Sequence, residues 1–250
     1  EIFSRLPHDA ETIHLSKMMC HAHIRQKLSR LKEALKSPGN GIVRVVSTQL
    51  IEAGIDIDFP VVYRQEAGLD SILQAAGRCN REGTLPIGTT YVFSLTKEHP
   101  LPSGHLLRTS AACKRVRITP EKDCFAPDLM RKYFIQLYGR TTSFDEGPEQ
   151  EKDLIKRLLS RPTALSFATA AQLFRLISDN SINVIVNWDN SPELISELRK
   201  KGVSKTLLSQ LVQYSVAIRK SDFDRLIKGA LAKEIIEGVW YISDEEQYLS

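Results

Sequence analysis

The sequence predicts an α/β fold whose first part holds a parallel sheet, followed by a linker and a small α+β domain. Short apolar strands alternate with helices over residues 1–95, which is typical of a parallel sheet. A proline-rich stretch without clear periodicity follows, and strands and helices resume near Arg161. We therefore predict a first domain over residues 1–97, a linker with helices over 98–160, and an accessory domain over 161–250.

Composition places few limits on function. The chain has 250 residues, of which 42% are hydrophobic and 26% charged, and its net charge of +4 permits nucleic-acid binding without requiring it. The four cysteines form no close pair, which favours free thiols in a reducing compartment. The sequence has neither a membrane-spanning apolar run nor a secretory signal, so we expect a cytoplasmic protein. Because it begins without methionine, as if in mid-domain, we expect a fragment whose first domain is truncated.

The elements of the first domain follow from periodicity and turn residues. In the first predicted helix, apolar residues recur at spacings of 4, 3 and 4 from Ile24 onwards, and basic residues occupy the other face. The predicted elements are, in order, a strand at Thr12–Leu15, a helix at His21–Lys36, a strand at Ile42–Val46, a strand at Val61–Tyr63, a helix from Leu69, and a strand at Thr89–Leu95.

The later elements are predicted in the same way. Trp188 and Trp240 lie in strand-like runs and are predicted to be core residues, whereas His21 and His23 are predicted to lie on the surface. Ser221 is predicted to cap a helix. The other predicted elements are helices at Leu129–Tyr138, Glu151–Leu159, Ala164–Ile177, Pro192–Lys200 and Lys205–Gln213, and strands at Asn183–Trp188, Tyr214–Arg219 and Val239–Ile242.

Two arginines follow the predicted strand at residue 61. Gln74, Arg78 and Arg81 stand at positions i, i+4 and i+7, so on a continuous helix they would share one face. Guanidinium groups pair with phosphate oxygens through a rigid fork, so two of them could clamp a polyphosphate. The alternative is a solvated pair that complements the helix dipole.

A polar loop follows the strand at residue 42, where α/β folds place residues that contact ligands. Ser47 and Thr48 could hold a phosphate oxygen, and Gly54 is predicted to adopt a left-handed turn. Asp56 and Asp58 could accept from a ribose hydroxyl or from an arginine further along the chain. Taken singly, each of these residues also fits an ordinary turn or helix cap.

The two segments together resemble a known family. They read S-T-Q-L-I-E-A-G-I-D-I-D and Q-A-A-G-R-C-N-R-E-G, and they resemble the fifth and sixth motifs of superfamily 2 helicases. The intervening F-P-V-V-Y-R-Q-E-A-G-L-D-S-I-L-Q resembles more narrowly the CRISPR-associated helicase–nuclease of type I interference systems. The resemblance is strongest over residues 12–95 and implies that the first domain is a second RecA-like helicase domain.

This resemblance implies a role for each candidate residue. Arg78 and Arg81 would be arginine fingers that reach ATP and Mg²⁺ held mainly by a preceding RecA-like domain. The resemblance also implies the remaining roles: Gln74, Gly54 and Asp56 for the nucleotide, and Ser47, Thr48 and, more weakly, Ser16 for the backbone of single-stranded DNA. The implied partners are single-stranded DNA, the preceding RecA-like and nuclease domains, and the RNA-guided surveillance complex, Cascade.

Some family features have no counterpart in this sequence. There is no G-x-x-x-x-G-K-[ST] phosphate loop, and Asp244–Gln247 reads as a polar tail. His8 and Asp9 lack the partners of a nuclease metal site, so we predict no metal ligands. We expect this chain alone neither to hydrolyse ATP nor to cut DNA. The alternative is a non-catalytic DNA clamp or a docking module for Cascade.

Overall fold

The structure is a computed structural model, and it describes residues 2–7, 11–36, 41–52, 54–95, 104–116, 123–124, 126–139 and 181–244. Contacts divide the chain into two compact units, one within residues 1–50 and 177–250 and the other within residues 51–176. The domain borders predicted at residues 97–98 and 160–161 lie outside the described residues, as do the helices predicted at Glu151–Leu159 and Ala164–Ile177. The three-part division therefore stays a prediction.

The N-terminal part of the first unit is a β-α-β arrangement. Strands β1 and β2 are parallel, with Ile13 opposite Val45, and helix α2 connects them. The predicted helix and both predicted strands are confirmed, the strands with shifts of one residue. The elements are α1 (Ile2–Arg5), β1 (Glu11–Leu15), α2 (His21–Lys36) and β2 (Val43–Ser47).

Helix α2 buries Leu31 as its periodicity predicts, and it also buries His23. The His23 ring stacks on the Trp188 ring with centroids 3.7 Å apart and planes 14° apart. The prediction that both histidines lie on the surface is therefore right for His21, which is exposed, and wrong for His23. An imidazole can pack as a flat ring against an indole, so its presence on a helix does not by itself mark the solvent face.

The C-terminal part of the first unit is a four-stranded mixed sheet in the order β6-β5-β8-β7. Strand β5 is antiparallel to β6 and parallel to β8, and β7 is antiparallel to β8. Its strands are β5 (Ser181–Val186), β6 (Ser215–Arg219), β7 (Ala232–Ile236) and β8 (Val239–Ile242). Its helices are α6 (Ser191–Lys201), α7 (Lys205–Leu211) and α8 (Lys220–Lys228), with a 3₁₀ turn at Val212–Tyr214.

The two faces of this sheet carry separate apolar clusters. One contains Val184 and Val216 together with Cys20, the residue before α2, and both Trp188 and Trp240 pack against it. The other contains Leu198 and Leu211 and lies under α6 and α7. The prediction that the two tryptophans are core residues is confirmed, since both pack against buried clusters.

Two local predictions in this part are wrong. Strand β7 was not predicted, because its alternation is short and two charged residues, Lys233 and Glu234, interrupt it. Helix α8 begins at Lys220 with Arg219 in the N-cap position and no side-chain cap, so Ser221 lies within the helix and does not cap it. By contrast, Ser204 caps α7 by accepting from the Leu207 N–H.

The second unit is built on one parallel strand pair with helices packed beside it. Strands β3 and β4 pair in parallel with Tyr63 opposite Tyr91, and α4 and α5 pack against α3 through the cluster around Ala112 and Leu129. Its elements are β3 (Val61–Gln65), α3 (Leu69–Ala76), β4 (Thr89–Phe93), α4 (His105–Val116) and α5 (Pro127–Tyr138). Helix α4 was not predicted, because the stretch around it was interpreted as an aperiodic linker.

The predicted fold class, α/β with parallel strand pairs and a following α+β part, is confirmed. Within the described residues, no helix is long and apolar enough to cross a membrane.

Candidate functional site at the end of helix α3

The helix that carries the candidate residues is shorter than predicted. Helix α3 ends at Ala76, and Gly77 takes the C-cap position, donating its N–H to Leu73 O at 2.9 Å. Gln74 lies on the helix and is exposed. The prediction that Arg78 and Arg81 share a helical face with Gln74 is therefore wrong, because both arginines follow the helix end.

A backbone pairing draws the chain away from the helix axis. Phe59 and Cys79 form a parallel β-bridge, in which the Phe59 N–H donates to Arg78 O at 3.0 Å and the Asn80 N–H donates to Phe59 O at 2.8 Å. Asn80 has a φ of +48°, a left-handed conformation that asparagine tolerates better than most residues. These features end the helix and fix an arginine segment, defined here as residues 77–82.

Arg78 is held by the loop that precedes it in the sequence. Its Nη2 donates to the main-chain carbonyl of Glu52 at 3.0 Å. Its Nε is buried and has no hydrogen-bond partner among the described residues. A buried donor without a partner is costly and uncommon, so this guanidinium has unused capacity to donate to a ligand.

Arg81 is held by two aspartates of the same loop. Its Nη1 lies 2.7 Å from Asp56 Oδ1, and the two side chains are 41% and 76% exposed. The main-chain N–H groups of Arg81 and Glu82 donate to the two carboxylate oxygens of Asp58 at 2.7 and 3.3 Å. The sequence left two roles open for these aspartates, which were to accept from a ribose hydroxyl or from an arginine. The structure shows the second role.

Gly54 turns the loop between these two arginine partners. Its φ is +79°, and an added Cβ would meet no atom within 4 Å. The requirement for glycine is therefore conformational and not steric, because L-residues other than glycine are strained in this region. The predicted left-handed turn at Gly54 is confirmed.

A partly buried polar cluster beside the arginine segment was missed by sequence reasoning. Arg64 Nη2 lies 2.9 Å from Glu52 Oε1 and donates to Ser71 Oγ at 2.8 Å. Ser71 Oγ donates in turn to Glu52 Oε2 at 3.0 Å. The available signal was an arginine inside the apolar strand β3, since a charge placed there requires a partner.

The N-terminal end of α3, which lies opposite the end that leads to the arginines, is anchored by a tyrosine of α5. The hydroxyl of Tyr133, a fully buried residue of α5, donates to Asp70 Oδ1 at 2.6 Å. Burial, together with this hydrogen bond, raises the pKa of Tyr133 well above its usual range. An added Cβ at Gly68 would lie 2.4 Å from each of these two oxygens, so helices α3 and α5 approach as closely as glycine allows.

The candidate DNA contacts lie in the first unit, at the carboxyl end of the β1–β2 pair. Thr48 is exposed, and its N–H donates to Leu15 O at 3.1 Å. Ser47 Oγ donates to Thr48 O at 2.9 Å. Ser16 is buried, and its Oγ accepts from the Met18 N–H at 3.1 Å. Thr48 therefore presents the most accessible hydroxyl of the three.

The described residues fit a phosphate ligand better than a metal ion. No group of three or more His, Cys, Asp or Glu residues comes together among them, so they offer no Mg²⁺ cage of their own. The unpartnered Nε of Arg78 and the solvent-exposed pairing of Arg81 leave donors for an anion. These residues would meet ATP through its phosphates.

Comparisons with known proteins agree with this description. Residues 1–84 match the family model described as CRISPR-associated nuclease/helicase Cas3, C-terminal. The CRISPR-associated nuclease/helicase Cas3 of Haloferax volcanii is 62% identical over 37 residues, which are 15% of this chain and 4% of that protein. The T. fusca Cas3-ATP and Cas3-AMPPNP crystal structures match with TM-scores of 0.53 and 0.54 at 14% identity, covering 97% of this chain and 33% of theirs.

The fold defines the class first: the chain shares the mixed α/β architecture of the Cas3 crystal structures that it matches. Residues 1–84 are similar to the C-terminal region of the Cas3 nuclease/helicase family, and the resemblance recognised in the sequence is confirmed. The chain spans about a third of the length of the solved structures it matches.

Proposed function

We propose that this chain supplies arginine fingers and DNA-backbone contacts to an ATP-dependent single-stranded DNA translocase and nuclease of CRISPR antiviral defence. One observation carries the proposal: both arginines follow α3 directly, and each is held by a residue flanking the Gly54 turn, Glu52 for Arg78 and Asp56 for Arg81. The Glu52–Asp56 part of the first motif and the arginines of the second motif thus lie together within the second unit, which supports a shared role.

The nucleotide proposal rests on charge and hydrogen-bonding capacity. Among the described residues, the buried Nε of Arg78 has no hydrogen-bond partner, and the Arg81 guanidinium forms an exposed ion pair with Asp56. Exposed pairs contribute about 0–1 kcal/mol, so a polyphosphate can displace Asp56 at little cost. ATP and Mg²⁺, held mainly by a preceding RecA-like domain, would bring the γ-phosphate to these groups, where Gln74 orients it and Gly54 and Asp56 contact the nucleotide.

The DNA proposal rests on the loop after β2. Thr48 exposes its hydroxyl at the carboxyl end of a parallel strand, where α/β folds bind ligands. Ser47 lies beside it, and Ser16 is the weaker candidate because its hydroxyl is buried. Contacts of this kind follow the sugar–phosphate backbone without reading base sequence.

The partners of the complete protein follow from the proposed family role. Preceding RecA-like and nuclease domains would supply the ATP cradle and the metal-dependent cutting site, and Cascade would deliver the DNA. We propose that the chain by itself neither hydrolyses ATP nor cuts DNA.

The test compares ATP hydrolysis by this chain and by the complete protein, each with single-stranded DNA. We expect turnover from the complete protein alone, and a loss of about 10³-fold or more in kcat for Arg81→Ala, since arginine fingers contribute on that scale. Arg225→Ala is the matched control, because Arg225 forms an exposed ion pair with Asp222 in the first unit. Turnover by this chain that Arg81→Ala abolishes would contradict the proposal of inactivity.

The alternative is that the chain acts as a DNA clamp or as a docking module for Cascade. Single-stranded DNA binding measured at several salt concentrations separates these roles. Binding that weakens with salt, together with an Arg81→Ala variant that hydrolyses ATP normally in the complete protein, would favour the clamp. Absence of DNA binding together with capture of Cascade would favour docking.

A further inference from the structure

Glu52 is the centre of a polar cluster that joins three segments of the second unit. Its carboxylate pairs with Arg64 of β3 at 2.9 Å and accepts from Ser71 of α3 at 3.0 Å. Arg64 also donates to Ser71 at 2.8 Å, which closes the cluster into a ring of three side chains. Each contact meets the ordinary distance criterion for a hydrogen bond or close ion pair.

This ion pair is shielded from water, unlike the Arg81–Asp56 pair. The Arg64 and Glu52 side chains are 16% and 12% exposed, against 41% and 76% for Arg81 and Asp56. Burying two charges costs several kcal/mol per ion, and only good geometry with added hydrogen bonds offsets that cost. A buried pair is weak support for stability, so its presence here calls for a role in fixing geometry.

The same residue reaches the arginine segment through its main chain. The Glu52 carbonyl accepts from Arg78 Nη2 at 3.0 Å, and among the described residues this is the hydrogen bond made by the Arg78 guanidinium. The carboxylate anchors Glu52 to β3 and α3, and the carbonyl, two residues before the Gly54 turn, then receives Arg78. The Glu52 carboxylate pairs with Arg64, whereas Arg78 meets the neutral Glu52 carbonyl, so the charge of Arg78 is not neutralised within the cluster.

We propose that Glu52 is a positioning residue for Arg78, held in place by Arg64 and Ser71, so that the loop before Gly54 sets the orientation of the guanidinium. The expected effect on ATP hydrolysis rests on the proposed function, whereas the positioning of Arg78 by Glu52 does not. The loop and the arginine segment then move as one piece during the nucleotide cycle. Glu52 touches neither the nucleotide nor DNA in this role.

The first test measures ATP hydrolysis by the complete protein with single-stranded DNA. In Glu52→Gln the side chain keeps its size but loses the ion pair, and we expect kcat to fall about 10- to 100-fold, since misplacement by roughly 1 Å costs on that scale. KM for ATP and Kd for DNA should change by less than about threefold, because ground-state binding is untouched.

Glu66→Gln is the matched control. The Glu66 carboxylate likewise pairs with one cation, Lys114 at 2.8 Å, and accepts from one hydroxyl, that of Ser94 at 2.7 Å, and neither of these partners belongs to the arginine segment. We expect this variant to keep the kcat of the parent protein. An equal fall in both variants, or a fall in Glu52→Gln accompanied by loss of DNA binding, would show a merely structural role and overturn the proposal.

The second test does not depend on catalysis and uses this chain alone. Its readout is the arginine Nε–Hε region of the ¹H–¹⁵N spectrum, where the buried Arg78 Nε should exchange slowly with solvent. Glu52→Gln should shift this signal and speed its exchange, whereas Glu66→Gln should not. An unchanged Arg78 signal overturns the proposal.

If Glu52→Gln fails to fold, the Arg78 signal of two Ser71 variants tests the proposal instead. Ser71→Ala removes two hydrogen bonds without leaving a charge unpaired, and Ser71→Thr restores the hydroxyl. We expect the Arg78 signal to shift in the first variant and to return in the second. If the unaltered complete protein shows no DNA-stimulated hydrolysis, the proposed function fails, and the Arg78 spectrum alone then decides the role of Glu52.

Discussion

Gly54 lies between the residues that hold the two candidate arginine fingers. Glu52 accepts from Arg78, and Asp56 pairs with Arg81, so the direction of the chain at Gly54 determines where both partners lie. Its φ of +79° is the cause, because a side chain is strained there even though the surrounding space is open. At this residue, the backbone conformation therefore determines the geometry of the site.

Gly54→Ala should lower the free energy of unfolding by about 1–2 kcal/mol, the cost of a left-handed conformation for an L-residue. Denaturant unfolding followed by circular dichroism measures it. Gly41→Ala is the control, because an added Cβ there also meets nothing within 4 Å and no positive φ is imposed. That variant should be neutral or stabilising by up to about 1 kcal/mol. Equal effects in both variants would contradict the conformational explanation.

At this site the sequence predicted one local backbone feature correctly and the arrangement of the arginines wrongly. Gly54 was predicted correctly because a left-handed turn is a local backbone property. The prediction that Arg78 and Arg81 share a helical face was wrong, because the chain leaves the helix to form the bridge between Phe59 and Cys79. This bridge is a contact between separate segments, and helical spacing does not encode it. The Glu52 cluster was missed for the same reason, since its three members come from separate elements.

At the scale of elements, α2 shows how a helix is joined to a sheet that follows far later in the sequence. Cys20 belongs to the apolar cluster of the four-stranded sheet, and His23 stacks on Trp188 just after β5. Burial is the main cause that lowers the pKa of His23 to about 4, with the charges of Lys27 and His14 adding to it. The neutral imidazole is therefore the form that packs.

This packing predicts a pH dependence of stability. The pKa of His23 is lower in the folded chain than the usual 6.5, so between these values the unfolded chain binds more protons. The stabilisation is fully present above pH 6.5 and is lost as the pH falls towards 4, by up to about 3 kcal/mol in total.

Denaturant unfolding between pH 4 and 8 checks this expectation. His23→Phe should remove most of this decline, because phenylalanine keeps a flat ring against Trp188 and cannot take up a proton. His21→Gln should leave the decline unchanged, since His21 is exposed on the same helix. A parallel decline in the His23→Phe variant would contradict the assignment.

Elements with strong periodicity were predicted well, and those defined by packing were not. Helix α2 was predicted with its observed bounds, because its apolar spacing and the Ser37–Gly41 stop are both local signals. Helix α4 was missed because its buried side includes Thr109, Ser110 and Ala112, which an apolar pattern does not detect. Small and hydroxyl-bearing residues fit where helices approach closely, and only the packing shows that.

At the scale of the whole molecule, each compact unit has its own buried clusters. The first unit contains the two clusters on the faces of the four-stranded sheet, and the second contains the cluster that joins α3, α4 and α5. Separate cores are the physical basis for separate cooperative units of local unfolding. Perturbing one core should therefore leave the protection of the other unchanged.

Gly68→Ala and hydrogen exchange test this independence. The added Cβ would lie 2.4 Å from Asp70 Oδ1 and from the Tyr133 hydroxyl, so the second unit must distort. Overpacking of this kind costs about 1–3 kcal/mol, which should speed amide exchange in α3, α4 and α5 by about 5- to 150-fold.

Amides of β5 and β8 should keep their exchange rates in Gly68→Ala. The reciprocal variant, Leu198→Ala, removes a buried side chain from the first unit and should cost about 2–5 kcal/mol. It should speed exchange in β5 and β8 and spare α5. Faster exchange in both units with either variant would contradict this independence and would mean that the chain unfolds as one cooperative body.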